Sequence, residues 1–182
     1  MIIQLDLEKI PPELVELTTT TEAFRNTPWL VHKDGVYKHS GDYQRCEVKP
    51  ELEQWFKDNI TNNYLHISAC RMFGETHNAP HTDTTRDYTL IYLTDLGGTD
   101  VKTRFYQEIG HDIHRPRDYH PDYDNLELLV EYKLDLHTWY LLDSRVVHSV
   151  EGIETERKAI QVGFGLEHSW VHNKLGEYIG NL

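Results

Sequence analysis

Histidine and aspartate recur in this chain in a pattern that can bind metal. The tripeptide His-x-Asp occurs three times, beginning at His32, His81 and His120. An imidazole and a carboxylate at this spacing can coordinate one ion from the end of a strand or the adjoining loop. With 12 histidines and 14 aspartates in 182 residues, chance alone gives about one such tripeptide. The surrounding sequence must therefore decide which copy is functional.

The copy at His81–Asp83 has the surroundings that a metal site needs. It is followed by "DYTLIYLTDL", which alternates like a β-strand. Two imidazoles and one carboxylate on one face form the facial triad of non-haem Fe(II) centres, which leaves three positions open. His148 can supply the second imidazole, because it follows the apolar strand "WYLLD" after a short turn. We therefore predict that His81, Asp83 and His148 are the metal ligands.

Arg157 extends this pattern, since it lies nine residues after His148 at the head of the next predicted strand. Antiparallel pairing can return a residue at this spacing to the same mouth of a barrel. The planar guanidinium binds a carboxylate through two parallel hydrogen bonds. The sequence thus adds a carboxylate-binding arginine to the three metal ligands.

Most of the elements around these residues are predicted strands. The patterns typical of strands are "IIQLDL", "YLHISACRMF", "DYTLIYLTDL", "LELLVEYKLDL", "TWYLLD" and "RKAIQVGFGL", with "RFYQEI" as a further candidate. "PPELVELTTTTEAF" and "KPELEQWFKDNI" favour helices, because each has proline in its first turn. Successive strands without helices between them predict antiparallel sheets in a sandwich or jelly roll. We expect one domain over 1–182, with a helical N-terminal support at about 1–63 and a β core at about 64–167.

Composition limits the classes of partner. The net charge of −12 disfavours nucleic acid, because phosphate contacts need clustered lysine and arginine. Two cysteines, Cys46 and Cys70, are too few for a disulfide scaffold. The sequence shows neither a basic signal peptide nor an apolar run long enough to cross a membrane. These features predict a cytoplasmic protein.

Two longer stretches resemble a known group of enzymes. "RMFGETHNAPHTD" is similar to the segment leading to the metal in the aspartyl/asparaginyl hydroxylases, where Arg, Gly and Pro precede the His as Arg71, Gly74 and Pro80 do here. "WYLLDSRVVHSVEG" resembles the second metal segment of that branch. The order His-x-Asp, His, Arg is also that of the prolyl hydroxylases within the same Fe(II)/2-oxoglutarate oxygenase superfamily. The resemblance extends over about 64–164.

The resemblance implies a fold, cofactors and roles for individual residues. It implies a double-stranded β-helix in which His81, Asp83 and His148 bind Fe(II). Arg157 would hold the distal carboxylate of 2-oxoglutarate. The reaction would use O2 to hydroxylate a small-molecule or peptide substrate and release succinate and CO2. Some relatives place Ser or Thr two residues after the arginine, where it also bonds the cofactor, whereas this chain has Ala159.

Several assignments beyond this core are open at the sequence level. Tyr92 is our candidate for the hydroxyl that replaces the one missing at Ala159. Arg71 either contacts a carboxylate of the substrate or of the cofactor, or forms an ordinary ion pair. The stretch 99–125, which carries His111, His114 and His120, is a candidate lid over the site and a weaker second metal cluster.

Two other functions remain as alternatives to a 2-oxoglutarate oxygenase. The first is a non-catalytic β-sandwich binding module, in which the histidines are incidental or hold a structural metal. The second is a cupin-like metalloenzyme that does not use 2-oxoglutarate. Arg157 argues against the second, because such an enzyme has no cosubstrate carboxylate to hold.

Overall fold

The computed structural model describes residues 1–17, 25–26, 29–33, 36–40, 43–73 and 78–180, with side chains for 1–15, 43–73 and 79–180. This part of the chain contains thirteen strands and three α-helices. The strands are β1 (Ile2–Leu5), β2 (Arg25–Asn26), β3 (Trp29–Lys33), β4 (Val36–Ser40), β5 (Tyr43–Glu47), β6 (His66–Met72), β7 (Asn78–His81), β8 (Tyr88–Leu96), β9 (Lys102–Glu108), β10 (Leu126–Tyr132), β11 (Trp139–Asp143), β12 (Val147–Glu151) and β13 (Arg157–Phe164). The helices are α1 (Pro12–Leu17), α2 (Pro50–Asn59) and α3 (Ser169–Gly180).

The strands form two antiparallel sheets. Seven strands lie in the order β1-β11-β8-β13-β6-β5-β2, and six in the order β10-β9-β12-β7-β3-β4. The eight strands from β6 to β13 are divided equally between the two sheets, and the chain changes sheet at each step except between β9 and β10, which pair as neighbours. This arrangement is a double-stranded β-helix, and it confirms the predicted mainly-β sandwich.

Two apolar layers hold the fold together. One lies between the sheets and includes Ile91, Leu93 and Phe105. The other lies on the outer face of the seven-stranded sheet, where α2 packs Leu52 and Phe56. Successive side chains of a strand point to opposite faces, so β8 contributes residues to both layers. The cavity described below opens within the layer between the sheets.

The helices differ in part from the sequence prediction. α2 is confirmed, with Pro50 in its first turn and two acidic residues near its N-terminus. α1 covers the start of its predicted helix, and the remainder of that prediction, 18–24, lies outside the described residues. α3 was not predicted. None of the described helices is both long and apolar enough to span a membrane.

The N-terminal region contributes strands as well as helices. β1 pairs with β11 at one edge of the seven-stranded sheet, and β5 pairs with β6 near the other. The predicted helical support at about 1–63 therefore differs from the structure, which extends both sheets with N-terminal strands. These N-terminal strands are stabilised by pairing with segments later in the chain. A local sequence pattern does not predict such long-range pairing.

The stretch 99–125 is shorter as a loop than the sequence suggested. Its first part is β9, which pairs with both β10 and β12, so the candidate strand "RFYQEI" is confirmed. A short 3-10 helix, Tyr123–Asn125, precedes β10. The irregular segment between them runs from 109 to 122.

Candidate metal centre

Two neighbouring strands bring the predicted ligands together. His81 is the last residue of β7, and His148 on β12 is its direct cross-strand partner. Their ring centroids are 4.5 Å apart. Asp83 follows β7 by two residues, and its Oδ1 lies 3.8 Å from His81 Nε2. One ligand atom from each of these buried residues lies within 4.8 Å of the other two, as a facial triad requires.

Backbone carbonyls fix the orientation of both imidazoles. His81 Nδ1 lies 2.7 Å from Ala79 O, and His148 Nδ1 lies 2.9 Å from Val146 O. Since a carbonyl only accepts, each Nδ1 carries the proton and donates it. Each Nε2 is therefore left with a lone pair, which is the form that binds a metal.

One carboxylate oxygen of Asp83 is hydrogen-bonded to the protein, which leaves the other oxygen available to a metal ion. Its Oδ2 accepts hydrogen bonds from Arg86 Nε at 2.6 Å and from Thr89 Oγ1 at 2.8 Å. Burial raises the pKa of Asp83, but the charge of Arg86 and contacts with both histidines outweigh it and hold the pKa well below its usual range. Burial and the neighbouring His81 lower the pKa of His148 to about 4. At neutral pH, Asp83 is ionised and His148 is uncharged, which suits metal binding.

One cavity connects this triad with Arg157. It lies between the sheets, and the centre of a water molecule can reach about 50 Å³ of it. The three ligands and Arg157 all line it, with an apolar wall that includes Met72, Ile91, Leu142 and Val150. The triad and Arg157 therefore face the same space.

Arg157 is a buried cation with few protein partners. It is 5% exposed, and its Nη1 donates to Leu96 O at 3.0 Å. Burial lowers the pKa of Arg157 to about 10, so it stays protonated at neutral pH. No carboxylate of the described residues lies within ion-pair distance of it. A buried charge of this kind calls for an anion.

Gly97 allows the start of β13 to reach this position. Its φ is +77°, and a Cβ added there would lie 2.5 Å from the Cβ of Arg157. A side chain at residue 97 would therefore push β13 away from the end of β8. The Gly97-Gly98 pair that ends the predicted strand thus has a role in placing the arginine.

Several solved structures share the fold of this chain. The chain is 14% identical to Escherichia coli YcfD over its whole length, with a TM-score of 0.51, and covers 53% of that protein. A second structure of YcfD, a ribosomal oxygenase in complex with cobalt and 2-oxoglutarate, gives 13% identity and a TM-score of 0.50, with 100% of this chain and 52% of that one covered. The double-stranded β-helix is shared. This chain spans about half the length of YcfD.

A further similar structure comes from Burkholderia pseudomallei. It is an oxidoreductase of the 2OG-Fe(II) oxygenase family, 10% identical, with a TM-score of 0.50 over 83% of this chain and 76% of that one. No family model and no curated protein matches the sequence. At these identities the likeness is one of fold, and the triad within that fold comes from this chain's own residues.

The structure contradicts the prediction for Tyr92. The ring of Tyr92 lies on the outer face of β8, 4.7 Å from the ring of Trp139, and does not line the cavity. Its neighbours Ile91 and Leu93 occupy the inner face. Because both faces of β8 are apolar, the sequence does not show which face meets the cavity. Tyr43 and Thr103 are the hydroxyl residues that line the cavity outside the hydrogen-bond network of Asp83.

Arg71 also lies away from the cavity. Cys70 and Met72 line it, so the residue between them points to the opposite face of β6. Its Nε donates to Gln44 Oε1 at 2.7 Å, and its Nη1 lies 3.5 Å from Glu156. Of the two roles that the sequence left open for Arg71, the described contacts are those of an ion pair.

The segment 115–119 is hydrogen-bonded to the loop after β7, which carries Asp83. It is therefore part of the support of the triad and not a separate lid. The backbone N–H of Thr82 donates to Tyr119 O at 2.9 Å, and Thr82 Oγ1 donates to Pro116 O at 2.6 Å. Thr82 Oγ1 also accepts from Tyr119 N at 3.0 Å, while Asp118 N donates to Asp83 O at 3.1 Å. Thr82 is 1% exposed. These bonds fix the backbone that carries two metal ligands.

The histidines of this segment do not form a second metal cluster. His114 Nε2 lies 3.1 Å from Asp143, and the ring of His120 lies 6.2 Å from that of His81. Among the residues with described side chains, the triad is the one group that can hold a metal ion. The side chain of His32 and all of Asp34 lie outside the described part of the chain.

Arg86 and Gln161 were missed by the sequence analysis, although both line the cavity beside the triad. Arg86 bonds to Asp83, and its Nη2 donates to Gln161 Oε1 at 3.2 Å. Arg86 is in an irregular loop, where no periodic pattern marks an inward residue. Its only signal was its position three residues after a predicted ligand.

Proposed function

We propose that this protein is an Fe(II)- and 2-oxoglutarate-dependent oxygenase that hydroxylates a C–H bond. One observation carries the proposal: a single cavity joins a facial triad to a buried arginine that has no carboxylate partner among the described residues. The triad suits a ferrous ion, and the arginine suits the far carboxylate of a dicarboxylic acid.

His81, Asp83 and His148 would hold the iron, because their donor atoms are in the correct protonation states and converge on one point. Bound Fe(II) would supply the activation of O2, with 2-oxoglutarate converted to succinate and CO2 as the substrate gains a hydroxyl group. The protein's part is to orient these groups. Thr89 and Arg86 hold Asp83, and two carbonyls hold the imidazoles.

Arg157 would select and position the cosubstrate. A guanidinium pairs with a carboxylate in a fixed plane, and the low-dielectric wall around it strengthens that contact. The apolar residues between Arg157 and the triad exclude water from the space that the cosubstrate chain would fill. Tyr43 or Thr103 would supply the hydroxyl contact that Ala159 lacks.

The proposed partners are O2 and a small-molecule or peptide substrate, in a cytoplasmic setting. The net charge of −12 disfavours a nucleic acid, since its phosphates would be repelled by most of the surface. The mouth of the cavity offers the substrate a path to the triad.

An anaerobic titration tests the proposal. Fe(II) and then 2-oxoglutarate would be added to the metal-free protein, with visible absorbance reporting the charge-transfer band of the chelate. We expect a saturable band in the wild type. In Arg157→Gln, half-saturation should need about 10- to 100-fold more 2-oxoglutarate, because a charge-assisted contact is lost.

Arg104→Gln is the matched control, since Arg104 pairs with Glu131 and Glu151 on the outer face of β9. It should behave as the wild type. Iron binding without a band would contradict the 2-oxoglutarate proposal and favour a metalloenzyme of another kind. If no iron binds, the binding module becomes the better description.

A further inference from the structure

The arginines of this protein divide into two groups by their partners. Eight have described side chains, and six of these contact a carboxylate. The six are Arg71, Arg86, Arg104, Arg115, Arg117 and Arg145. Arg45 and Arg157 have no carboxylate within ion-pair distance among the described residues. In a chain with 30 acidic and 18 basic residues, two arginines without an acidic partner call for an explanation.

The second of these arginines, Arg45, lies beside the cavity. It is half-buried on β5, and its cross-strand partner Cys70 lines the cavity. Arg45 Nη2 donates to Ser68 Oγ at 2.8 Å. Ser68 is in turn the cross-strand partner of Gln161, whose side chain meets Arg86. The guanidinium of Arg45 therefore extends along β6 towards the metal end of the cavity.

Arg86 and His66 lie next to this end of β6, and together with Arg45 they form what we call the basic wall. Arg86 Nη1 lies 3.4 Å from His66 Nε2. Burial, and then the charges of Arg86 and Arg45, lower the pKa of His66 to about 4, so the ring is uncharged at neutral pH. Arg86 is 6% exposed, and among the described residues its carboxylate partner is Asp83, which is also a predicted metal ligand.

The cavity, together with Arg45 beside it, would keep a positive excess with the proposed cofactors bound. The two charges of a ferrous ion would be balanced by the 2-oxoglutarate dianion. Asp83 would then balance one of Arg45, Arg86 and Arg157. Two positive charges would remain beside the triad and the cavity, in a protein whose total charge is −12. An anionic group on the substrate would complete this balance.

We propose that the substrate carries a carboxylate and that Arg45 binds it, with Arg86 contributing to the field. This inference rests on the proposed function, because it assigns the substrate class of the same site. Arg45 thereby determines specificity: it holds the acidic end of the substrate while the carbon to be oxidised faces the triad. The carboxylate belongs to a free acid or to an acidic side chain in a peptide.

Binding of matched neutral and acidic probes tests the inference without turnover. N-acetylalanine and its amide represent a free acid, and the blocked tripeptides acetyl-Ala-Asp-Ala-amide and acetyl-Ala-Asn-Ala-amide represent a side chain. Dissociation constants would be measured by calorimetry on the metal-free protein. An Arg157→Gln background removes binding at the cosubstrate position.

In this background we expect at least one acid to bind about tenfold or more tightly than its amide, which is a typical effect of a charge-assisted contact. The pair that shows the preference identifies the source of the carboxylate. Adding Arg45→Gln should abolish the preference, adding Arg45→Lys should retain part of it, and adding Arg104→Gln should leave it unchanged.

Two results would overturn the inference. One is equal binding of acid and amide in both pairs. The other is an acid preference that persists in the Arg45→Gln, Arg157→Gln double variant. The absorbance titration described above is independent of these probes, so a chelate band without an acid preference refutes the substrate class alone. An acid preference without a chelate band refutes the oxygenase and leaves an acid-binding site.

Discussion

The two ends of the cavity are built in opposite ways. At the metal end, each ligand has its remaining polar atom bonded to the protein: two imidazoles to carbonyls and Asp83 to Arg86 and Thr89. At the other end, Arg157 donates a hydrogen bond to Leu96 O and has no carboxylate partner among the described residues. The metal end is therefore organised before anything binds, whereas the arginine end carries a charge that only a ligand neutralises. Preorganisation favours tight and specific metal coordination, and an unneutralised buried cation lowers stability until an anion arrives.

The largest expected effect is on the free energy of unfolding. A substitution at the metal end should lower it, whereas a substitution at the arginine end should not. Asp83→Asn leaves Arg86 buried without its carboxylate and should reduce the free energy of unfolding by about 3 kcal/mol. Arg157→Gln removes an unneutralised buried charge and should leave stability equal to or above that of the wild type. Urea unfolding of the metal-free protein at pH 7 measures both.

A loss of stability in both variants would show that the ends are not built differently. Arg104→Gln again serves as the control, with a change of about 1 kcal/mol or less expected because both of its ion pairs are partly exposed to solvent. Asp83→Asn should also weaken Fe(II) binding by more than about 100-fold, since it removes a ligand rather than a supporting contact.

A smaller effect tests whether the 115–119 segment belongs to the metal end. Thr82→Val preserves shape but removes the hydroxyl that bonds Pro116 and Tyr119. We expect Fe(II) affinity to fall about tenfold, because the backbone between two ligands loses its outer support. Calorimetric titration with Fe(II) under argon gives the value. Thr84→Val, which removes a more exposed contact to Asp118, is the control. Unchanged affinity in Thr82→Val would restore the movable-lid interpretation.

The smallest effect is a pH dependence at the basic wall beside the triad. Burial and two arginines lower the pKa of His66 to about 4 from 6.5, so the unfolded chain takes up a proton there before the folded protein does. This residue's contribution to stability is complete above pH 6.5 and is lost as the pH falls towards 4. The wild type should therefore lose more stability than His66→Gln between pH 7 and 5. Urea unfolding at pH 7 and at pH 5 measures the stability of both proteins. An equal loss of stability in the two would contradict this role of His66.

The sequence predicted that the triad and Arg157 lie together because short separations along the chain and simple strand pairing determine their relative positions. His81 and Asp83 are joined by two peptide bonds, and a short turn with strand pairing fixes Arg157 relative to His148. Tyr92 failed for a physical reason: β8 is apolar on both faces, so alternation alone does not distinguish the cavity side. Arg71 likewise lies on the face of β6 opposite the cavity.

Other features depend on contacts that no local pattern records. Arg86 is in an irregular loop, and Arg45 becomes significant only through what lies near it across two strands. α3 was missed because its sequence contains glycines at 176 and 180, which lower helix propensity. Packing of Val171 and Trp170 against the sheet compensates for this.

The direct pairing of His148 with His81 has a consequence for how the protein is made in the cell. The two residues are far apart in sequence and meet only when β7 and β12 pair. An ion shared between them would act as a cross-link across a long loop, present only in the folded chain. If the triad binds iron as proposed, folding and metal supply would be linked by mass action, and a cell short of iron would hold less folded protein as well as less active protein. The abundance of this chain would then report the supply of its metal.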